Sequence, residues 1–335
     1  MRFELMTTGA PLRRIQDLAK DAASAGFSGL VVTEGARTAY LACAAAALAV
    51  DIDISTGIAV AFPRSPMVTA QSAWELAELS RGRFRLGIGT QVRAHIDRRY
   101  SAPFDPPGPR LREYVEAVRA IFRAFRGDER LDFSGSYWSF SLLPAQWSPG
   151  PIDVPDPPID VAAVSPWMLR MAGQVADGVH VHPLNTPTYL AETVLPSVGA
   201  DVELAVPVFT AVGDTEEEQQ RWWEMARMQV SFYGSTPNYA FIFDQSGFEG
   251  TTARIRERQK AGDIAGMAAV VDDDLLEHFV VRGTWDQLPG LILDRLGGVA
   301  TRAIAYFAGM AWQQDPDFQE RWGGVARAIR SSSGA

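Results

Sequence analysis

Ile54-Ser55-Thr56-Gly57-Ile58-Ala59-Val60-Ala61-Phe62-Pro63-Arg64-Ser65-Pro66, continuing to Leu79-Ser80-Arg81-Gly82-Arg83-Phe84 and Gly87-Ile88-Gly89-Thr90, is the stretch that decides the architecture. The run from Ile52 to Ala61 is short, apolar and β-branched, and reads as a strand. Ser65 suits a helix N-cap, Pro66 the first helical position, and Gly82 follows the helix end. Phe84 to Ile88 then returns as a second apolar run. Strand, helix and strand at this spacing imply parallel strands joined by a crossover helix.

The same rhythm extends outward in both directions. Upstream lie an alternating segment beginning near Phe3 and the compact run Leu30-Val31-Val32. Downstream, Leu111, Val115, Val118, Phe122 and Phe125 form one apolar stripe, so Pro109 to Arg126 is predicted as a helix. The aromatic segment from Leu131 to Leu143 reads as a hairpin, and the prolines between Ser148 and Pro158 as an irregular loop. Strands are expected again at Ile159 to Val164, Val179 to Val181 and Leu204 to Val212, with a helix from Trp167 to Ala176. Thr215-Glu216-Glu217-Glu218 is a capping box that opens a further helix. Ser235 to Asp274 lacks a β–α rhythm and reads as an insertion of short helices, before a helix from Trp285 to Leu296 and a closing strand from Ala303 to Phe307. Eight strands are enough to close a barrel, and no Gly-x-Gly-x-x-Gly run follows the first strand as an open dinucleotide-binding sheet would require. The expected fold is an α/β (β/α)8 TIM barrel, one domain over residues 1–335, with insertions near 128–157 and 235–275.

Composition narrows the function. Forty-seven per cent of the 335 residues are hydrophobic, which supports one large core, and the formal charge of −9 argues against a nucleic-acid partner. The single cysteine, Cys43, sits in an alanine-rich apolar run and reads as a small buried hydrophobe, in keeping with a reducing cytoplasm. The N-terminus has no cationic segment followed by an apolar core, and the apolar run from Tyr40 to Val50 is too short to span a bilayer. A cytoplasmic protein with no membrane partner is expected.

In such barrels chemistry sits where strands end. That rule selects Thr33-Glu34-Gly35, Thr56-Gly57-Ile58-Ala59, Gly89-Thr90-Gln91, Val164-Ser165-Pro166 and His180-Val181-His182. All but the last are small, polar or glycine, as a flat ligand approaching the backbone requires. The alternate histidines face the same way on a strand and raise a second reading, a metal-dependent barrel hydrolase. Only His95 and His278 remain elsewhere and no clustered carboxylates complete a ligand set, so no metal is expected. Glu34 reads either as an acid–base group or as a helix cap, and Ser165 as a cap, a phosphate ligand or both. Trp74, Trp138, Trp222 and Trp223 read as packing residues, and Arg93, Arg98 and Arg99 as a basic patch.

The quoted stretch, with Gly26-Phe27-Ser28-Gly29-Leu30 upstream and Ala176-Asp177-Gly178 downstream, resembles the luciferase-like monooxygenase superfamily. Gly89-Thr90-Gln91-Val92-Arg93-Ala94-His95 is most similar to its actinobacterial branch that uses the deazaflavin F420. The resemblance implies a non-proline cis peptide at Gly57–Ile58 under the cofactor ring. It implies ring or side-chain contacts from Thr56, Gly57, Ile58, Gly89, Thr90 and Gln91, and phosphate contacts from Ala162, Ala163, Val164 and Ser165. Several deazaflavin relatives carry an acid followed by histidine after strand two; here Glu34 is followed by Gly35, so Glu34, His180 and His182 remain as the candidate catalytic groups. The expected function is an F420-dependent oxidoreductase that moves a hydride between the deazaflavin and a small organic substrate. It is expected to work as a homodimer, with a flavin or F420 reductase as redox supplier. The alternatives are a two-component monooxygenase using reduced FMN and a flavin-binding barrel without catalysis.

Overall fold

The computed structural model describes residues 1–315 and 317–332. Eight parallel strands close on themselves: β1 (Arg2–Thr8), β2 (Gly29–Thr33), β3 (Asp53–Thr56), β4 (Phe84–Gly89), β5 (Ile159–Ala163), β6 (Gly178–Val181), β7 (Glu203–Val212) and β8 (Arg302–Ala305). The closing pair is β8 with β1, in the register Arg2↔Arg302 to Leu5↔Ala305. This is the (β/α)8 barrel expected from the sequence, with each strand on the apolar run that announced it. The helix ends also follow local chemistry. Ser65 Oγ accepts from the Met67 amide at 3.3 Å, Gly82 takes φ +81°, and the Thr215–Glu218 capping box is complete.

Alternation sorts the strand residues into two environments. On β4, Phe84, Leu86 and Ile88 pack outward into the main core between strands and helices, while Arg85, Gly87 and Gly89 face the lumen. Inside, Met6, Val31, Ala205 and Ile304 form a separate apolar layer.

Beneath that layer the lumen holds charges rather than the branched aliphatics usual in such barrels. Arg302, 1% exposed, pairs with Asp160 and lies 3.5 Å from Glu4 and 3.7 Å from Glu203. Arg85 pairs with both Asp160 and Glu203, and Arg2 bridges Asp53 and Glu203. A Cβ at Gly178 would overlap the Asp160 carboxylate, so the glycine makes room for the pair. Burial pushes the Glu4 carboxyl above the ordinary range against the pull of Arg302, and Glu4 Oε2 has no hydrogen-bond partner.

Two excursions rise from the barrel. After β4 come helices at Arg93–Arg98 and Pro107–Arg126, then a hairpin pairing Phe133–Ser134 with Ser139–Phe140. After β7 comes the helix Glu216–Gly234, followed by short helices as far as Glu277. Sequence reading did not anticipate a further short strand, Val280–Gly283, which pairs in parallel with the distal half of β7 from Phe209↔Val280 to Val212↔Gly283. β7 is long enough to serve two neighbours in succession: its first half joins β6 and β8, and its second half carries this added strand. Among the described residues no helix is long and apolar enough to cross a membrane.

The lumen charges give an asymmetric expectation. Arg302→Leu leaves Asp160 buried without its main partner and should lower urea-unfolding stability by about 3–5 kcal/mol. Glu4→Gln, which removes a carboxylate that is poorly paired already, should stay within about 1 kcal/mol of the parent.

Candidate active site

The mouth of the barrel is organised around the bulge that ends β3. The Gly57–Ile58 peptide is cis, the geometry the family resemblance implies for this bond. Four polar groups of the turn, Gly57 N–H, Gly57 O, Ile58 O and the Val60 amide, have partners on the end of the neighbouring strand β2. Gly57 N–H donates to Val32 O at 2.8 Å, and Thr33 Oγ1 donates to Gly57 O at 2.8 Å. The Glu34 amide donates to Ile58 O at 3.2 Å, and the Val60 amide donates to Glu34 Oε2 at 2.7 Å. A Cβ at Gly57 would overlap Val31 Cγ1 and the His180 ring, and one at Gly89 would meet Ile58 and Ala162 at 3.1 Å. Glycine is therefore needed at position 57 for the strand ends to sit this close, and at position 89 a larger residue would have to push its neighbours aside by a few tenths of an ångström.

Of the ten residues expected to touch a cofactor, Ile58, Thr90, Gln91, Ala162, Val164 and Ser165 are half-buried at the mouth. Gly57 and Gly89 are buried and contribute backbone. Thr56 and Ala163 lie deeper. The Thr56 hydroxyl is exchanged with β4, donating to Gly87 O at 2.7 Å and accepting from the Gly87 amide at 2.8 Å. Ser165 caps the helix Pro166–Val175, its hydroxyl accepting from the Met168 amide at 3.4 Å, while Val164 O accepts from the Tyr189 hydroxyl at 2.7 Å.

Glu34 is 8% exposed, and both its oxygens are engaged. Arg64 grips it from two nitrogens, the longer contact 2.9 Å, and the Arg64 guanidinium also lies 5.1 Å from the Tyr40 ring centroid. The carboxylate read from the sequence as an acid–base candidate thus holds the end of β2 to the bulge. Its partner lies thirty positions along the chain, at a spacing that carries no local signal.

His180 and His182 sit on the opposite wall. His180 is 8% exposed beneath the bulge, and no group among the described residues hydrogen-bonds its ring. Burial, with a contribution from Arg302, pushes its imidazole down to about 3. His182 is likewise pushed down to about 3 by burial. Its Nδ1 accepts from the Leu184 amide at 3.0 Å, so the ring proton resides on Nε2. Its ring lies between Tyr233, edge-on at 4.7 Å, and Tyr239 at 4.5 Å. Among the described residues no group of three or more His, Cys, Asp or Glu side chains is placed to hold a metal ion.

Sequence reading missed Arg110. Its guanidinium stands 4.9 Å from the Tyr137 ring, 5.1 Å from Trp138 and 5.8 Å from Phe62, with no carboxylate and no hydrogen-bond acceptor among the described residues. The aromatic cage is held by Glu113, which accepts three successive amides of the hairpin, from Ser136, Tyr137 and Trp138, at 2.6–2.8 Å. Trp138, expected to be a packing residue, is a wall of that cage, whereas Trp74, Trp222 and Trp223 are buried as expected. The helix bearing Arg110 starts against the helix capped by Ser165, for a Cβ at Gly108 would overlap the Trp167 ring. The basic patch is less available than its sequence suggested: Arg93 is clamped by Asp105, and Arg99 donates to Gly35 O at 2.6 Å.

Comparison with known proteins adds four findings. The profile of the luciferase-like monooxygenase family matches residues 2–300. An uncharacterized protein of Mycobacterium tuberculosis is 34% identical over 307 residues, covering 88% of this chain and 90% of its own. The fold superposes on the coenzyme F420-dependent tetrahydromethanopterin reductase of Methanopyrus kandleri with a TM-score of 0.78 at 20% identity, covering 99% of both chains. It also superposes on the FMN-bound oxygenating constituent of 3,6-diketocamphane monooxygenase of Pseudomonas putida, with a TM-score of 0.65 at 18% identity and 98% of each chain.

Two outcomes are expected from this geometry. Glu34→Gln should cost about 1.5–3 kcal/mol of stability, because a buried charge-assisted pair is replaced by a neutral amide, and a parent-like unfolding midpoint would contradict it. Nitrogen chemical shifts should show both His180 and His182 neutral at pH 5, with His182 protonated on Nε2. Their folded values lie below the unfolded value of about 6.5, so the unfolded chain binds the extra protons. Their contribution to stability is then complete above that pH and is lost as the pH falls toward 3. Either imidazole titrating near 6.5 would refute the assignment.

Proposed function

The chain belongs to the luciferase-like monooxygenase family, and from that premise we propose that it is an F420-dependent oxidoreductase acting on a small organic substrate. The observation that carries the reading is the bulge itself. Glycine-lined backbone, with both carbonyls and the Gly57 amide of the turn already paired to β2, offers one flat face suited to an aromatic tricycle. The residues at the mouth fit such a cofactor. Gly57, Ile58 and Gly89 would support the ring from one side, Thr90 and Gln91 would meet its edge, and the opposite face would look toward His182. Arg110, a guanidinium without an anion, would take the cofactor's phosphate, with the Ser165-capped helix start beside it. When bound, F420 supplies a two-electron hydride carrier.

What the chain itself would do is orient and exclude water. His180 and the apolar layer of Met6, Val31, Ala205 and Ile304 close the floor under the ring, and the neutral state of both histidines keeps that floor uncharged. In this reading Glu34 is a positioning residue: it acts on the ring only through Val60 and Arg64. The resemblance of Gly89–His95 to the deazaflavin branch supports F420 over FMN. The pairing of Arg93 with Asp105 removes one cation that an anionic F420 tail would have met, so the preference should be moderate.

Titration of the purified protein by fluorescence should give tighter binding of F420 than of FMN. Arg110→Leu should weaken F420 binding by about tenfold or more, as expected for a lost charge-assisted contact. Equal affinities, or FMN retained through purification, would favour the monooxygenase reading.

A further inference from the structure

Opposite the bulge, three elements bring uncharged polar groups together. Tyr306 directly follows the last residue of β8, His182 directly follows the last residue of β6, and Tyr233 lies in the final turn of the helix Glu216–Gly234. The hydroxyls of Tyr233 and Tyr306 are hydrogen-bonded to each other, and neither has another partner among the described residues. A phenol carries one O–H, so in such a pair one proton is committed to the partner oxygen and the other is left without an acceptor. His182 adds a second uncommitted donor: its Nδ1 is occupied by the Leu184 amide, and its Nε2–H has no acceptor among the described residues. The His182 and Tyr233 rings are 4.7 Å apart, so the two donors belong to one wall.

The wall is also electrically neutral. Tyr306 packs edge-on against Phe209 at 4.8 Å and against the lumen layer of Met6, Val31, Ala205 and Ile304. Tyr239 covers the other side of His182. Burial holds Tyr306, Tyr233 and Tyr239 in their phenol forms, and no charged side chain contributes to the shift of any of the three or of His182. An anionic group seated here would be desolvated with no cation to balance it, at a cost of several kcal/mol. A neutral oxygen would meet two donors and an aromatic surface.

We propose that the Tyr233–Tyr306 hydroxyl pair and His182 Nε2–H form the substrate-oxygen site, and that it takes an uncharged ketone or alcohol with an apolar body rather than a carboxylate or a phosphorylated compound. The inference rests on reading this mouth as the site of hydride transfer, and it names the substrate class that reading left open. It separates two anchoring regions: Arg110 for an anion, and this wall for a neutral oxygen.

Acetophenone and benzoate share a ring and differ in the charge of the oxygen group, so they serve as the probes. Protein carrying 13C-labelled tyrosine rings is titrated with each, with and without F420, and the Tyr233 and Tyr306 signals are assigned from Tyr233→Phe and Tyr306→Phe. Acetophenone should shift those signals saturably, and benzoate should bind at least tenfold more weakly. Tyr306→Phe should weaken acetophenone about tenfold while F420 affinity stays within twofold; should that variant not fold, Tyr233→Phe carries the same test. Benzoate binding as tightly as acetophenone, or ketone affinity unchanged in the folded tyrosine variant, would overturn the proposal. Failure of F420 and FMN to bind while the tyrosine-dependent ketone site persists would sink the cofactor reading and leave this one standing.

Discussion

The structure turns on how the end of β3 is fastened. A bulge exposes backbone polar groups that a sheet would otherwise pair, and unpaired groups in a partly buried mouth are costly. Here much of the cost is met by β2, whose Val32 O, Thr33 hydroxyl, Glu34 amide and Glu34 carboxylate take up Gly57, Ile58 and Val60 in succession, while β4 pairs with Ala59–Val60 and accepts from the Ala61 amide. Arg64, arriving from just beyond the bulge, closes the loop by neutralising Glu34. With its hydrogen bonds turned toward β2, the bulge presents a surface with little polarity of its own, which suits a stacked ring.

Charge is distributed along the barrel axis in a way that serves that surface. The ionic cluster of Glu4, Arg85, Asp160, Glu203 and Arg302 lies at the base, separated from the mouth by the Met6–Val31–Ala205–Ile304 layer. At that layer His180 is neutral, and above it so are His182 and the tyrosines. Buried ion clusters stabilise little relative to an apolar core, but confined to the base this one does not impose a charge on the groups lining the mouth. His180, two residues below His182 and close enough to feel Arg302, marks the boundary between the regions.

What the sequence disclosed was whatever depended on neighbours within a few positions. The apolar runs at Phe3, Leu30, Ile54, Phe84, Ile159, Val179, Leu204 and Ala303 each became a barrel strand, because period and flanking turns are local properties. Ser65, Ser165 and Thr215 were readable as caps for the same reason. The strand Val280–Gly283 escaped because its partner is the far end of β7, some seventy residues earlier. Arg110 carried no local signal in its helix, because its cage is built by Glu113 holding a hairpin whose path the sequence did not specify. The Tyr233–Tyr306 pair and the Glu34–Arg64 pair likewise join residues whose spacing carries no pattern. The mouth was legible as a place, and its chemistry only in part.

The central claim is that a planar cofactor rests on the Gly57–Ile58 bulge with its free face toward His182 and the tyrosine pair. A crystal structure of the protein grown with F420 tests it most directly. The deazaflavin ring is expected to stack on the Gly57–Ile58 peptide, with its phosphate at Arg110 and the Ser165 helix start, and His182, Tyr233 and Tyr306 across the open face. Ring density lodged elsewhere, or a ring whose face toward the tyrosines is blocked by the chain, would contradict it.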